Sequence, residues 1–173
     1  MKLAALIMVI IGVSARLLPH PANVAPITAL ALFSGVYLSK KFFFIPLIAM
    51  LISDYFIGFY GITMLYVYGS FFIIWLIGLV LKNENTPGNT VRASLSSSIL
   101  FYLITNFGVW VHPHSFYQQN FAGLMESYYM GLPFFRNTIL GDLFYTVTFI
   151  RGYEIAKYLG KRYLPQKIYP VTF

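Results

Sequence analysis

The chain has 173 residues, 58% of them apolar and 10% charged, with a mean hydropathy of +0.71 and a formal net charge of +7. That balance excludes an ordinary soluble domain and points to a bilayer. The lack of cysteine excludes disulfides, thiolate metal centres and a cysteine nucleophile, and the basic residues are too dispersed between apolar segments to track nucleic acid.

Six apolar segments follow in chain order, at about 3–18, 24–38, 42–59, 62–81, 91–111 and 134–156. Each comes near the ~20 residues that an α-helix needs to cross a hydrocarbon core. Stretches such as LIAMLISDYFIGF and SFFIIWLIGLVL lack the alternation of a membrane strand. The expected fold class is therefore all-α: a polytopic integral membrane protein with six transmembrane helices forming a single transmembrane domain over residues 1–173.

The first segment, with Lys2, an apolar run and Val13-Ser14-Ala15, also fits the outline of a cleavable signal peptide. Its lone basic residue and its small Gly12, Ser14 and Ala15, which suit close helix packing, favour a spanning helix. The second segment would give only about 22 Å of helix. Its outer end, PHPANVAPIT at 19–28, carries three prolines and Asn23. An extended segment is expected to enter the outer leaflet there, and short, proline-interrupted segments point to a substrate site. The third segment carries Asp54, and the fifth brings Thr105, Asn106 and Trp110. Residues 112–133, HPHSFYQQNFAGLMESYYMGLP, read as an outer lid loop whose FAGLMESYYMGL part suits a short amphipathic helix. The sixth segment opens with Arg136 and Asn137 and continues to Asp142.

Lys2, Lys40, Lys41, Lys82, Arg92, Lys157, Lys161, Arg162 and Lys167 fall on one side of a six-span topology, against Arg16 and Arg136 on the other, with Arg151 left uncounted inside the last segment. The positive-inside rule then puts both termini of a multi-pass membrane protein in the cytoplasm. In that frame Arg136 and Asn137 mark the outer boundary, Asp142 lies one to two turns below it, and Asp54 shares its level. The inner halves contribute few polar groups beyond Ser94, Ser96, Ser97, Ser98 and Arg151.

An intramembrane aspartate is costly and reads first as functional. The bland alternative pairs Asp54 or Asp142 with Arg16 or Arg136 to fix helix packing. Arg136 and Asp142, six apart, sit about 120° apart around one helix and do not form an intrahelical pair. Arg136 also suits snorkelling, and Asn106 and Asn137 suit bonds between helices. The histidines His20, His112 and His114 all fall on the outer side, which leaves divalent metal uptake as an alternative. No metal is assigned to the proposed site and no cofactor is expected. Nothing matches G-x-S-x-G, H-E-x-x-H or a Walker A loop, so the chain reads as neither an enzyme nor a nucleotide hydrolase.

The combination of ARLLPHPANVAPITALALFSG, LISDYFIGF, TNFGVWV and LPFFRNTILGDLFYT resembles a family of uncharacterised bacterial membrane proteins placed near the substrate-binding subunits of energy-coupling factor transporters. The resemblance covers most of the chain. It implies six helices, cytoplasmic termini and an outward-facing pocket closed by loops. In those subunits an Ala-x-x-x-Ala face on the first helix docks on the coupling protein. Here Ala25 and Ala29 carry that spacing in the second segment instead.

The resulting expectation is a transport subunit that captures a vitamin-like or other small polar solute. Asp54, Asn106, Trp110, Arg136, Asn137 and Asp142 form its pocket, with Arg16, His20 and Asn23 at the mouth. Its partners would be the lipid bilayer and an ATP-driven module docked on Ala25 and Ala29, or on Gly12 and Ala15. The rival reading is a structural or assembly protein whose polar groups form a packing network.

Overall fold

The computed structural model describes residues 2–38 and 40–163. Lys167, one of the basic residues that set the expected topology, lies outside them. The described chain forms six α-helices: α1 (Lys2–Leu17), α2 (Ile27–Tyr37), α3 (Ile45–Ile57), α4 (Thr63–Leu81), α5 (Pro87–Val111) and α6 (Phe121–Tyr163). Short 3-10 turns precede α3 and follow α4, and there is no strand among the described residues. Thr63–Glu84 and Pro87–Val111 are long and apolar enough to cross a membrane. Large apolar side chains also stand on the outer faces, among them Leu6, Ile10, Phe56, Leu65, Val80 and Phe144.

Helix α2 occupies the centre. It contacts each of the other five helices, and nine of its eleven residues are buried. Its small residues make this possible. A Cβ on Gly35 would fall 2.5 Å from the Trp75 carbonyl oxygen and 2.8 Å from the Gly78 Cα, and one on Gly78 would fall 2.6 Å from the Leu32 carbonyl oxygen. The two backbones thus touch where α2 crosses α4, as small residues allow. Gly12 brings α1 to α2 and α3 in the same way, since a Cβ there would meet Leu30 Cδ1 at 2.8 Å and Ala49 Cβ at 2.9 Å. Ala29 is fully buried. The small residues expected to receive a partner, Ala29 and Gly12, are therefore spent inside this chain. Apolar runs alone do not distinguish an inner seam from an outer one.

Helices α2 and α3 are each shorter than the apolar segments 24–38 and 42–59, α6 runs on past residue 156, and the starts of α5 and α6 differ from the sequence reading. Helix α5 begins at Pro87 rather than near residue 91, because Thr86 accepts a hydrogen bond from the Asn89 amide at 3.2 Å and Pro87 takes the first helical position, where no N–H is needed. The expected lid loop 112–133 is reduced to residues 112–120, and FAGLMESYYMGL forms the first turns of a 43-residue α6 that continues through Pro133. Proline is a favoured helix start, which made residue 134 look like a beginning. Contacts with α5 hold the extra turns in line. The Ser127 hydroxyl donates to the Asn106 carbonyl (2.9 Å), Tyr102 donates to the Tyr128 carbonyl (2.6 Å), and Tyr128 donates to the Leu103 carbonyl (3.1 Å).

The antiparallel register of α5 and α6 then moves Asp142. It lies opposite Ser98, halfway along α5, rather than one to two turns below the outer end.

Replacing Gly35 or Gly78 with leucine drives a side chain into backbone that cannot yield and should cost at least ~3 kcal/mol. Gly69 of α4 faces open space, so Gly69→Ala should be neutral or slightly stabilising. Thermal unfolding and size-exclusion profiles of the three purified variants check both expectations.

Candidate functional site

All six helices contribute to a cavity of about 290 Å³ whose lining includes Arg16, His20, Asn23, Thr28, Tyr60, Thr138 and Asp142. A second cavity of about 210 Å³ shares Asn23, Val67, Phe101 and Thr138 with it and adds Thr105 and Asn106. Asn23 stands in both linings with a backbone φ of 63°, a left-handed conformation that asparagine tolerates better than most residues. The extended 18–26 segment thus delivers its polar side chain where α2 begins, as the prolines around it suggest.

The two aspartates do different work. Asp54 has no exposed surface, and its Oδ1 lies 2.7 Å from Arg16 Nη2. Arg16 Nη1 donates to Ser53 Oγ (2.6 Å) and to the Met50 carbonyl (3.3 Å), tying the last turn of α1 to α3. The Tyr68 and Tyr60 hydroxyls both donate to Asp54 Oδ2, at 2.9 and 3.3 Å. Burial and the neighbouring Asp54 charge push the Tyr60 phenol up, which keeps it a donor to that carboxylate. The Asp54 charge is thus paired with Arg16, and Asp54 lines neither cavity.

Asp142 is as buried, at 2% exposure, but no basic side chain among the described residues pairs with it. Ser98 donates to its Oδ2 at 2.7 Å, and the Thr28 side chain at the start of α2 also bonds to the carboxyl.

The remaining expected site residues divide by position. Asn106 lines the second cavity, donating to the Tyr102 carbonyl at 2.8 Å, and its amide leaves no room for a Cβ on Gly131. Asn137 lies outside both cavities and donates to the Ala22 carbonyl at 3.1 Å, fixing the extended segment to α6. Trp110 also lies outside both. Its indole N–H donates to the Gln118 carbonyl (2.9 Å), and Gln119 donates back to the Trp110 carbonyl (2.6 Å), closing the 112–120 loop. Arg136 is exposed and lines neither cavity.

Among the described residues no three histidine, aspartate or glutamate side chains gather as a metal cluster. His112 Nδ1 faces the His114 amide, while His20 lies at the first cavity.

Thr28 and Thr138 were not singled out in the sequence, since a threonine in an apolar helix carries no distinctive pattern, and Tyr60, which reads from its place at a helix end as an interfacial anchor, lines the cavity and donates to Asp54. A second polar cluster was missed at the opposite end. Arg151 bonds to the Asn85 carbonyl (3.3 Å), the Thr86 carbonyl (2.7 Å) and the Thr90 hydroxyl. Asn85 donates to the Tyr37 hydroxyl (2.8 Å), which donates to Glu154 Oε1 (2.7 Å). This end, where the sequence reading expected few polar groups beyond Arg151 and the serines of α5, is tied together by them. A groove of about 450 Å³ at this end is lined by residues that include Glu84, Asn89 and Arg92, and by none of the buried carboxylates.

The chain belongs to a family of unknown function, DUF6580, which it matches over residues 1–166. No curated protein and no solved structure matches it.

Asp54→Asn leaves Arg16 uncompensated and should cost about 3 kcal/mol, whereas Arg16→Met with Asp54→Leu should recover much of that loss. Unfolding of the single and double variants in the same detergent measures the difference.

Proposed function

We propose that this chain is a multi-pass membrane transport protein, with both termini cytoplasmic, that captures a small polar solute in an outward-facing pocket. One observation carries the reading: the buried, uncompensated Asp142 carboxyl faces a cavity in company with Arg16, His20, Asn23, Thr28 and Thr138. A packing network satisfies its charges, as Arg16 and Asp54 do; Asp142 keeps one charge's worth of binding capacity toward open space. Ionisable groups inside a membrane mark substrate and ion paths.

The cavity is near the lower end of small-molecule sites, which suits a solute smaller than a drug-sized ligand. Apolar Val67, Phe71 and Phe101 would cover its non-polar face, and the amide of Asn23 and the carboxyl of Asp142 would orient its polar edges. Asn106 would extend the site through the second cavity. Asp54 acts at one remove, by holding Arg16.

The six-span topology is supported by the exposed apolar side chains on α1, α3, α4, α5 and α6. Arg151 adds a further cation to the end that carries Lys82 and Arg92. A kinship with the substrate-binding subunits of energy-coupling factor transporters, as the sequence motifs suggest, would also imply an outward pocket. An ATP-driven partner would have to meet the outer faces of the bundle, because Ala29 and Gly12 are already covered.

Solute screening by thermal stabilisation tests this reading, because a binder gains RT ln(1 + [L]/Kd), about 2.7 kcal/mol at a hundredfold excess over Kd, and a packing network gains nothing. Asp142→Asn and Asn23→Ala should each weaken the response at least tenfold, while Arg136→Ala and Trp110→Ala should leave it within twofold. A library of vitamins, nucleobases and amino acids that stabilises nothing would remove the proposal. Cysteines introduced at Asn85 and Gln119 check the topology: an impermeant reagent applied to intact cells should label only the latter.

A further inference from the structure

The α5–α6 interface carries hydroxyls below the cavity that the proposed solute does not use. On α6, Asp142 and Thr146 are four residues apart, and on α5 so are Ser98 and Ser94. That spacing stacks each pair on one face of its helix. The bond from Ser98 to Asp142 sets the register of the antiparallel pair, which places Ser94 and Thr146 each one turn beyond it in the same direction. Both are fully buried, and neither Ser94 Oγ nor Thr146 Oγ1 has a hydrogen-bond partner. The contrast with their neighbours is informative. Ser97 and Thr138 return their hydroxyls to the Ala93 and Phe134 carbonyls, at 2.7 and 3.0 Å, as serines and threonines in apolar helices usually do. Two orphaned hydroxyls beside a carboxyl without a counter-charge each cost free energy.

One ligand would answer all three deficits. We propose that Asp142, Ser98, Ser94 and Thr146, with Thr28 from α2, form a binding site for a single sodium ion. The donors are a carboxylate and hydroxyls, hard oxygens with no imidazole or sulfur, which disfavours transition metals. A single carboxylate balances one positive charge and leaves a divalent ion uncompensated in a low-dielectric interior. Ser94 and Thr146 line neither of the two cavities. Such close burial between α5 and α6 disfavours a large or hydrated cation.

The surrounding charges fit. Arg16, the cation across the cavity, is engaged by Asp54, and His20 and Tyr60 lie on the cavity wall rather than between α5 and α6. Coupling-ion sites of carriers are found near the membrane midplane beside the substrate, where a helix begins partway through. Here Thr28 in the first turn of α2 and Ser98 halfway along α5 bracket such a position. The inference rests on the membrane transport reading and deepens it by naming an ion that would bind together with the solute.

The test uses the purified full-length protein in detergent at fixed pH and ionic strength. Thermal stability is measured against sodium, potassium and N-methyl-D-glucamine, without solute. Sodium should stabilise saturably where the other two do not, and Asp142→Asn should abolish the gain. Thr146→Val and Ser94→Ala remove orphaned groups, so in potassium they should be neutral or slightly more stable than wild type. In sodium they should raise the half-saturating concentration at least tenfold. Equal stabilisation by all three cations would overturn the proposal, as would an undiminished sodium response in both hydroxyl variants. Stabilisation by lowered pH alone, indifferent to sodium, would assign Asp142 a proton instead and overturn it too. Solute-induced stabilisation measured in potassium reports on the transport reading separately, so either idea can fail while the other stands.

Discussion

Helix α2 can sit in the middle of this bundle only because its backbone lies directly on that of α4 at Gly35 and Gly78. Any side chain at either position would push the central helix outward. Its first turn would then leave the carboxyl of Asp142, and its end would leave Asn85 and Glu154, which Tyr37 joins. The glycine contact is apolar and short-ranged, yet it sets the separation on which the polar contacts at both ends of α2 depend. Dispersion and close fit do the placing, and the polar groups exploit the places so fixed.

Two buried carboxylates within one small bundle illustrate how environment assigns a role. Asp54 receives a guanidinium and two phenols, which closes its valence and welds α1, α3 and α4 together. Removing a partner from such a pair is costly, yet the intact pair adds little that apolar packing would not. Asp142 receives hydroxyls only. Neutral donors soften the loss of water without cancelling the charge, so this position keeps an appetite for something positive or for a donor-rich solute.

Helix number and class were legible because each helix carries its own apolar run, and α1 and α4 end where their runs end. The start of α5 was legible too, but in a different signal, since Thr86-Pro87 is a cap followed by a first-turn proline while the residues between it and position 91 are polar. Helix α6 was misjudged because Pro133 has two meanings, start or interior, and only the neighbouring helix decides between them. Of the polar residues singled out, Arg16, His20, Asn23 and Asp142 line one cavity and Asn106 the next, although Asp142 sits at mid-helix rather than at the level expected for it. Trp110 and Arg136 were placed by depth alone, and depth does not say which way a side chain turns. The pairing of Arg151 with Asn85, 66 residues away, follows from the register of two helices and has no local signature.

The brevity of α2 bears on how the protein is made. Eleven residues of helix reach about 16 Å, roughly half a hydrocarbon core, and the proline-rich stretch before them brings backbone groups that lipid cannot satisfy. Such a segment gains little by entering a membrane alone. Its stable berth is assembled by α4, α5 and α6, which are synthesised after it. The chain therefore makes its central helix before the helices that enclose it, and the buried position of α2 is complete only once α4, α5 and α6 have followed.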